Sequence, residues 1–292
     1  MKIKVPTADG TTLAASISGP DTAGLTVVLA HGFCMNSSSW ARTRRTLAAA
    51  CPDVQVVTYD HRGHGHSADG PRHSHTVETL ADDLAAVIDA VAGDGPLILG
   101  GHSLGAMTIL ACLRRHPHLV SQVRGTALVA TASSCIADHG GIARLLPKPI
   151  GHALPGVAQR LPCLFNSVWG LVRTAMSPAL GNCGTLRRPS SMVLAELLSS
   201  LLDLDESSSL HRLAGIPTVV VAGAQDFITP VAHAEAIAAG VPRSSLRVVP
   251  HAGHNLVLTD PEIVARELIE LVTAAMVSAA DAAPVRLAAA GS

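Results

Sequence analysis

A serine, an aspartate and a histidine in this chain have the types and the spacing needed for nucleophilic catalysis. Ser103 is the centre of residues 101–105, Gly-His-Ser-Leu-Gly, which follow an apolar run at 97–99 and precede a helical run at 106–115. This pattern places a serine on a tight strand-to-helix turn, where the crowding requires small residues two positions before and after it. The turn exposes the hydroxyl near the positive end of the following helix, so Ser103 is the predicted nucleophile.

A serine hydroxyl is a weak nucleophile at neutral pH, so it needs a base and a group that orients the base. Asp226 follows a predicted strand at 218–222, and His254 follows another at 246–249. The chain order Ser, Asp, His is the order that accompanies such a turn in this kind of sheet. All three follow predicted strands, at the edge where open α/β sheets gather their sites. We therefore expect His254 to be the base and Asp226 the orienting acid.

Other residues compete for these two roles. Asp203 and Asp205 are alternative acids, although both lie in a stretch that reads as a lid. His251 is the alternative base, but the glycine before His254 allows a loop to aim that ring. Asp226 could also be only a turn or cap residue.

Two backbone N–H groups are the candidates for stabilising a developing oxyanion. One belongs to Leu104, the residue after the nucleophile. The other is expected in the loop after the first parallel strand, where Gly32 lets the backbone turn. Phe33 is our choice for this second donor, with Cys34 as the alternative.

Short apolar runs alternate with helical patterns and predict how these residues are positioned. Residues 2–18 predict a hairpin around Asp9-Gly10, and apolar positions between 77 and 91 and after Asp260-Pro261 predict helices. The predicted strands are continuous runs, as expected for strands covered on both faces, at residues 27–30, 54–59, 97–99, 126–130, 218–222 and 246–249. The alternation predicts an α/β fold with a mostly parallel central sheet and helices on both faces.

One stretch breaks this alternation. Residues 133–212 contain six prolines, helical apolar spacing and no convincing strand, which predicts an inserted helical cap. Residues 1–132 and 213–277 are then the core. Residues 278–292 are rich in alanine without a clear pattern, so we expect a poorly ordered tail.

The motifs together resemble the α/β-hydrolase superfamily, in its serine-hydrolase branch of esterases and lipases. The resemblance covers residues 27 to about 275 and rests on five segments in family order: 31–33 (His-Gly-Phe), 59–67, 101–105, 223–226 and 253–254. It implies Ser103 as nucleophile, His254 as base, Asp226 as acid and a variable cap at 133–212. Epoxide hydrolases and haloalkane dehalogenases of this fold carry aspartate at the position of Ser103, so the resemblance does not extend to them.

The function expected from these residues is hydrolysis of a carboxylic ester with an apolar acyl or alcohol part. Apolar residues outnumber charges in the cap, although they could equally serve to pack the cap on the sheet. Thioester hydrolysis, acyl transfer, perhydrolysis and a biosynthetic cyclisation or isomerisation remain alternatives, as does a non-catalytic binding protein. The residues expected to contact the substrate are His31, Gly32, Cys34, His102, Phe165, Trp169 and Phe227.

Composition excludes several other classes of protein. The net charge of −1 gives no basic face for nucleic acid, and six aromatic residues are too few for a base-stacking platform. No apolar run is long enough to span a membrane, and the first residues lack the apolar segment of a signal peptide, so we expect a cytoplasmic protein.

The histidine and cysteine content predicts neither a metal site nor disulfides. Five histidines fall between residues 61 and 75, but their spacing completes no ligand set, so we expect no metal and no cofactor. The six scattered cysteines are expected to be free thiols. The partner is expected to be a small, apolar substrate, and the oligomeric state stays open.

Overall fold

In the part of the chain that the structure describes, eight strands form one mostly parallel sheet. The structure is a computed structural model and describes residues 1–134, 148–175 and 189–282. The strands are β1 (Lys2–Pro6), β2 (Thr12–Ser18), β3 (Thr26–Ala30), β4 (Gln55–Tyr59), β5 (Leu97–His102), β6 (Val123–Val129), β7 (Thr218–Gly223) and β8 (Ser244–Val249). Their order across the sheet is β1-β2-β4-β3-β5-β6-β7-β8. The β1–β2 and β2–β4 pairs are antiparallel and all other neighbours are parallel, which confirms the predicted fold class.

Every predicted strand and the hairpin are present, but the last strand differs from the prediction in its burial. The strands β3, β4, β5 and β7 are buried along their whole length, as continuous apolar runs predict. The strand β8 is the edge of the sheet, and Leu246 and Val248 on it are each 37 % exposed. The expectation that it is covered on both faces is therefore wrong, since Val249 is the one buried residue of this strand.

Helices cover both faces of the sheet. They are α1 (Ala41–Ala50), α2 (Val77–Ala92), α3 (Leu104–Arg115), α4 (Lys148–Arg160), α5 (Pro162–Ala175), α6 (Ser191–Leu202), α7 (Val231–Gly240), α8 (Leu256–Thr259) and α9 (Pro261–Ala282). One apolar core packs α2, α3 and α7 against the sheet, and a second packs α1, α8 and α9 against it. Among the described helices, none has both the length and the apolar character needed to cross a bilayer.

The predicted cap is helical where the structure describes it. The helices α4, α5 and α6 lie within residues 133–212, as does most of a 3-10 helix at Ser207–Leu213. Residues 135–147 and 176–188 of the predicted cap lie outside the described residues. At the other end of the chain, α9 continues to Ala282, past the predicted start of the tail at residue 278. The rest of that predicted tail lies outside the described residues.

The cap is tied to the core through a buried carboxylate on α6. Glu196 accepts a hydrogen bond from Nδ1 of His75 at 2.6 Å, and from the backbone N–H of His73 with both oxygens at 3.0 Å. The other ring nitrogen of His75 donates to the carbonyl oxygen of Asp69 at 2.5 Å. Both ring nitrogens of His75 therefore have a partner. The result is a buried pair of His75 and Glu196 between the cap and the loop after β4.

Replacing Glu196 with glutamine is expected to lower the free energy of unfolding by about 3 kcal/mol, because changing one partner of a buried pair leaves the other without a matching group. Urea denaturation at neutral pH measures the loss. The matched control is Glu262→Gln, which removes the same charge from an exposed pair with Arg42 at 2.6 Å and should cost less than about 1 kcal/mol. Equal losses in the two variants would contradict a structural ion pair at the cap.

Candidate active site

Ser103 lies on the turn between β5 and α3 in a backbone conformation that residues other than glycine rarely adopt. Its φ and ψ are 50° and −116°. The turn is held by β6 and the residues after it, because the N–H of Ser103 donates to the carbonyl of Val129 at 2.8 Å and its own carbonyl accepts from Oγ1 of Thr131 at 3.0 Å. Strain of this kind persists only where the surroundings over-determine the backbone, and it is found most often at functional sites.

The two glycines of the pentapeptide are needed for close backbone approach. A Cβ at Gly105 would lie 2.2 Å from the carbonyl oxygen of Ala30, at the end of β3. A Cβ at Gly101 would lie 2.4 Å from the backbone nitrogen of Ala106. Both gaps are too short for any side chain, so the physical reason given for the sequence pattern holds in the structure.

The structure brings the three predicted residues together in one hydrogen-bonded chain. Oγ of Ser103 lies 3.0 Å from Nε2 of His254, and Nδ1 of His254 lies 2.8 Å from Oδ2 of Asp226. Asp226 follows β7 and His254 follows β8, so the carboxyl ends of parallel strands deliver both groups to the turn that carries Ser103. With Nδ1–H donating to the carboxylate, Nε2 is free to accept the serine proton.

Asp226 is held by donors that sequence reasoning missed. Its Oδ1 accepts from the N–H groups of Ile228 and Thr229 at 2.8 and 2.9 Å, and its Oδ2 accepts from Oγ1 of Thr229 at 2.8 Å. Burial works to raise the pKa of Asp226, but the hydrogen bonds from His254 and Thr229 outweigh it and hold this pKa below its ordinary value. The carboxylate therefore stays ionised beside His254. An acid followed three residues later by threonine is the one sequence signal that could have shown this turn.

The alternative residues lie elsewhere. Asp203 follows α6 and pairs with His152 at the surface, 3.3 Å away, and Asp205 accepts from the N–H of Ser207 at 3.1 Å. His251 is exposed. None of the three takes part in the hydrogen-bonded chain at Ser103.

The two predicted oxyanion donors are available. Among the described residues, neither the N–H of Leu104 nor that of Phe33 has an acceptor. The carbonyl of Gly32 accepts from Nδ1 of His31 at 2.8 Å and from the N–H of Met35 at 3.1 Å. In a trans peptide the C=O and N–H groups point in opposite directions, so these bonds turn the N–H of Phe33 away from His31.

Comparison with known proteins agrees with this architecture. The model of the "Alpha/beta hydrolase family" matches residues 27–267. The chain belongs to the α/β-hydrolase family. The match spans β3 to α9, and therefore includes Ser103, Asp226 and His254.

Individual relatives of this α/β-hydrolase are distant in sequence. A protein named "Putative carbamate hydrolase RutD" from Caulobacter sp. (strain K31) is 27 % identical over 244 residues, which is 84 % of this chain and 89 % of that protein. An esterase from Thermogutta terrifontis superposes with a TM-score of 0.73 at 24 % identity, covering 94 % of this chain and 99 % of its own. An enol-lactonase from Burkholderia xenovorans LB400 superposes with a TM-score of 0.69 at 19 % identity, with coverage of 94 % and 100 %. These structures share the fold.

Two of the residues predicted to contact the substrate lie inside the protein instead. His31 has no exposed surface, and both ring nitrogens are used, since Nε2 accepts from the N–H of His61 at 3.0 Å while Nδ1 donates to Gly32. His102 is 1 % exposed, and its Nε2 donates to the carbonyl of His254 at 2.8 Å. Each ring packs behind a loop of the site, and contact of either residue with a substrate stays a prediction.

Half of the aromatic residues of this α/β-hydrolase meet where the cap contacts the core. Trp169 on α5 lies edge-to-face with Phe33 at 6.0 Å and stacked with Phe165 at 6.5 Å between ring centroids. The apolar cluster is completed by Cys34, Leu154, Ala158, Leu194 and Ala195. Phe227 is 50 % exposed, and no contact with the cluster is recorded for it. The apolar residues of the cap therefore lie in part against the loop that carries Phe33.

Three buried histidines lie behind the loop that carries Phe33. His61 donates from Nε2 to the carbonyl of His31 at 3.0 Å, and His64 donates from Nδ1 to the carbonyl of Arg62 at 2.9 Å. Burial is the main cause that lowers the pKa of each ring: of His31 and His61 well below the ordinary value of 6.5, and of His64 to about 4. Within the described residues, no group of three or more ligand-type side chains is arranged to hold a metal. Cys51, Cys112 and Cys163 are free thiols, while Cys135 and Cys183 lie outside the described residues.

The neutral buried histidines should make the protein lose stability in mild acid. Unfolding exposes these rings and returns their pKa to about 6.5, so below that pH the unfolded chain binds more protons than the folded one. The free energy of unfolding should then fall by about 1.4 kcal/mol per pH unit for each such ring, down to the folded pKa. Urea denaturation at pH 7.5, 6 and 5 measures the slope. His64→Asn keeps a donor for the carbonyl of Arg62 without a titrating ring, and should reduce the slope by one proton; a stability independent of pH over this range would contradict the account.

Proposed function

We propose that this α/β-hydrolase is a serine hydrolase that cleaves a carboxylic ester with an apolar acyl or alcohol part. The observation that carries the proposal is the hydrogen-bonded chain from Ser103 through His254 to Asp226, with 3.0 and 2.8 Å separations. A serine next to a neutral imidazole that is oriented by an ionised carboxylate is the arrangement that makes a hydroxyl nucleophilic.

The reaction follows from the roles of these groups. Nε2 of His254 takes the proton of Ser103 as Oγ attacks the ester carbonyl, and the resulting oxyanion accepts from the N–H groups of Phe33 and Leu104. His254 then gives the proton to the leaving alcohol, which leaves an acyl group on Oγ. A water molecule loses a proton to His254 and attacks this acyl group. The proton returns to Oγ as the carboxylic acid is released, which restores the starting state.

The preference for an apolar substrate is supported by the aromatic cluster of the cap. Phe33 supplies a proposed oxyanion donor from its backbone while its ring faces Trp169. A substrate carbonyl held at Ser103 would thus have one of its two substituents next to Phe33, Phe165 and Trp169. Burying each methylene of such a substituent contributes about 0.8 kcal/mol.

Carbamate hydrolysis is a second candidate, favoured by the name of the relative from Caulobacter sp.. A carbamate presents the same carbonyl to Ser103, and its nitrogen substituent takes the place of the acyl chain. The aromatic cluster favours an ester with a longer acyl chain, because such a chain can contact its apolar surface. A small unsubstituted carbamate has no apolar group that could make this contact.

The test combines labelling with a substrate series. An aryl fluorophosphonate should add once to the wild-type protein, with the adduct on Ser103 in the digested peptides. Nitrophenyl acetate, butyrate, octanoate and the N-methylcarbamate are then compared by kcat/KM. We expect the longer acyl chains to exceed acetate and the carbamate. A sharp preference for acetate would overturn the apolar assignment, preference for the carbamate would favour the second candidate, and absence of any adduct would overturn the hydrolase.

Replacing Trp169 with alanine should separate chain recognition from chemistry. We expect kcat/KM for nitrophenyl octanoate to fall about 10-fold, because an apolar contact of this size discriminates by that order. The value for acetate should change less than about 2-fold, since its methyl group does not reach the cluster. Steady-state kinetics on both esters gives the comparison, and an equal loss on both would show that Trp169 supports the cap rather than the substrate.

A further inference from the structure

His102 joins the two loops that carry the proposed base and the proposed oxyanion donor. Its Nε2 donates to the carbonyl oxygen of His254 at 2.8 Å, and the two rings lie 5.2 Å apart between centroids. On the opposite side, a Cβ at Gly32 would lie 2.5 Å from Nδ1 of His102. The ring therefore fills the space between the loop after β3 and the loop after β8.

The hydrogen bond to His254 fixes the protonation of this ring. A carbonyl oxygen can only accept, so the proton is on Nε2. Nδ1 has no hydrogen-bond partner in the described part of the chain. Burial, followed by the nearby His254, lowers the pKa of His102 to about 3. The ring of His102 is thus neutral and donates one hydrogen bond, through Nε2. It adds no positive charge beside His254 when that residue takes up a proton.

The main chain just before His254 packs against β7, whereas His254 itself is held by His102. The loop follows the edge strand β8, and a Cβ at Gly223 would lie 2.4 Å from the carbonyl oxygen of Ala252 and 2.6 Å from that of Gly253. Before it, the carbonyl of Ala252 accepts from the N–H of Gln225 at 2.9 Å. The bond from His102 acts at His254 itself and connects it directly to the residue before Ser103. A ring that pivots about this peptide keeps Nε2 aligned with Oγ only while the peptide is held.

We propose that His102 is a positioning residue, which holds the main chain of His254 so that its ring stays in line with Ser103. The inference rests on the proposed function for its effect on turnover, but the geometric claim stands apart from it. A loss of alignment of about 1 Å can reduce turnover about 100-fold with little change in substrate binding.

The test uses substitutions that differ in where they place a donor. In His102→Gln the amide nitrogen reaches the position of Nε2, whereas in His102→Asn it reaches only that of Nδ1, and His102→Met has a comparable length without a donor. We expect kcat for nitrophenyl butyrate to stay within about 5-fold of wild type in the Gln variant and to fall about 100-fold in the Asn and Met variants, with KM within about 2-fold. Thermal midpoints of all three are recorded, and if Met does not fold, the comparison of Gln with Asn decides.

A second readout does not depend on activity. The proton between Nδ1 of His254 and Asp226 should give a downfield proton NMR signal, measured with each substitution in the Ser103→Ala protein. The signal should persist with His or Gln at position 102 and be lost or broadened with Asn or Met. An unchanged signal and an unchanged kcat in a folded Asn or Met variant would overturn the proposal, as would a lowered thermal midpoint alone. If the wild-type protein neither hydrolyses esters nor takes up fluorophosphonate, the proposed function fails, while the signal still decides the role of His102.

Discussion

Ser103→Ala is expected to reduce kcat for ester hydrolysis about 10⁶-fold, the loss typical of removing a nucleophile that acts with its base as one unit. Among the described residues, Oγ of Ser103 is the one hydrogen-bond partner of Nε2 of His254, at 3.0 Å, so the base has no second hydroxyl to activate. Uptake of fluorophosphonate should disappear together with hydrolysis. KM should change little, because the aromatic cluster and the two backbone donors remain. A variant that retains more than about 10⁻³ of the wild-type turnover would contradict the assignment of Ser103.

A glycine at the same position provides a control that separates chemistry from folding. Ser103 has a φ of 50°, and a conformation of this kind costs a residue with a Cβ about 1–2 kcal/mol relative to glycine. Ser103→Gly should therefore be as inactive as Ser103→Ala but more stable than it by about 1 kcal/mol in urea denaturation. Equal stability of the two variants would show that the turn does not strain the backbone at residue 103. Backbone strain would then no longer support a functional role for Ser103.

The elements and the main site were predictable because each depends on a local signal. The buried strands are continuous apolar runs. The residue types of the pentapeptide 101–105 predict a tight turn, since only glycine fits against Ala30 and Ala106. Parallel strands deliver their carboxyl ends to one edge, so residues that follow β7 and β8 could be placed beside Ser103 without any long-range information. The same reasoning selected Phe33, because the first loop at that edge must supply the second donor.

The directions of two side chains near the site could not be predicted from the sequence. His31 and His102 flank the loop and the turn of the site in the chain, and adjacency alone suggested contact with a substrate. In the structure both rings turn inward, because each finds a backbone carbonyl as acceptor: that of Gly32 for His31 and that of His254 for His102. The acceptor for His102 lies 152 residues away, so its position depends on how distant loops pack. The acceptor for His31 belongs to the next residue, but the second bond of this ring, from the N–H of His61, also comes from another loop.

Two further misses depend on the tertiary arrangement. The run at 246–249 includes Arg247 and is therefore less apolar than the internal strands, but its place at the end of the sheet follows only from the complete strand order. The buried pair of His75 with Glu196 links segments 121 residues apart, and neither residue type is expected in a core without its partner. Neither feature can be predicted without knowing the tertiary arrangement.

Asp226→Asn is expected to reduce kcat about 10⁴-fold while leaving the fold intact, because it moves the ring proton of His254 from Nδ1 to Nε2. The backbone N–H groups of Ile228 and Thr229 require an oxygen at the position of Oδ1. The amide nitrogen must then take the position of Oδ2, 2.8 Å from Nδ1 of His254, where it donates. Nδ1 becomes an acceptor, so the proton of the neutral ring moves to Nε2. A protonated Nε2 cannot accept the proton of Ser103, and the loss should appear in kcat rather than in KM.

Thr229→Val is the matched control for this argument. It removes the hydroxyl that donates to Oδ2 of Asp226 at 2.8 Å but keeps the carboxylate and its charge. Losing one neutral hydrogen bond is worth about 1 kcal/mol, so turnover should fall less than about 10-fold. If the Asn variant lost no more activity than the Val variant, the carboxylate would serve only to shape the turn after β7. Orientation of His254 would then depend on the bond from His102 alone, and the acid would have to be removed from the proposed mechanism.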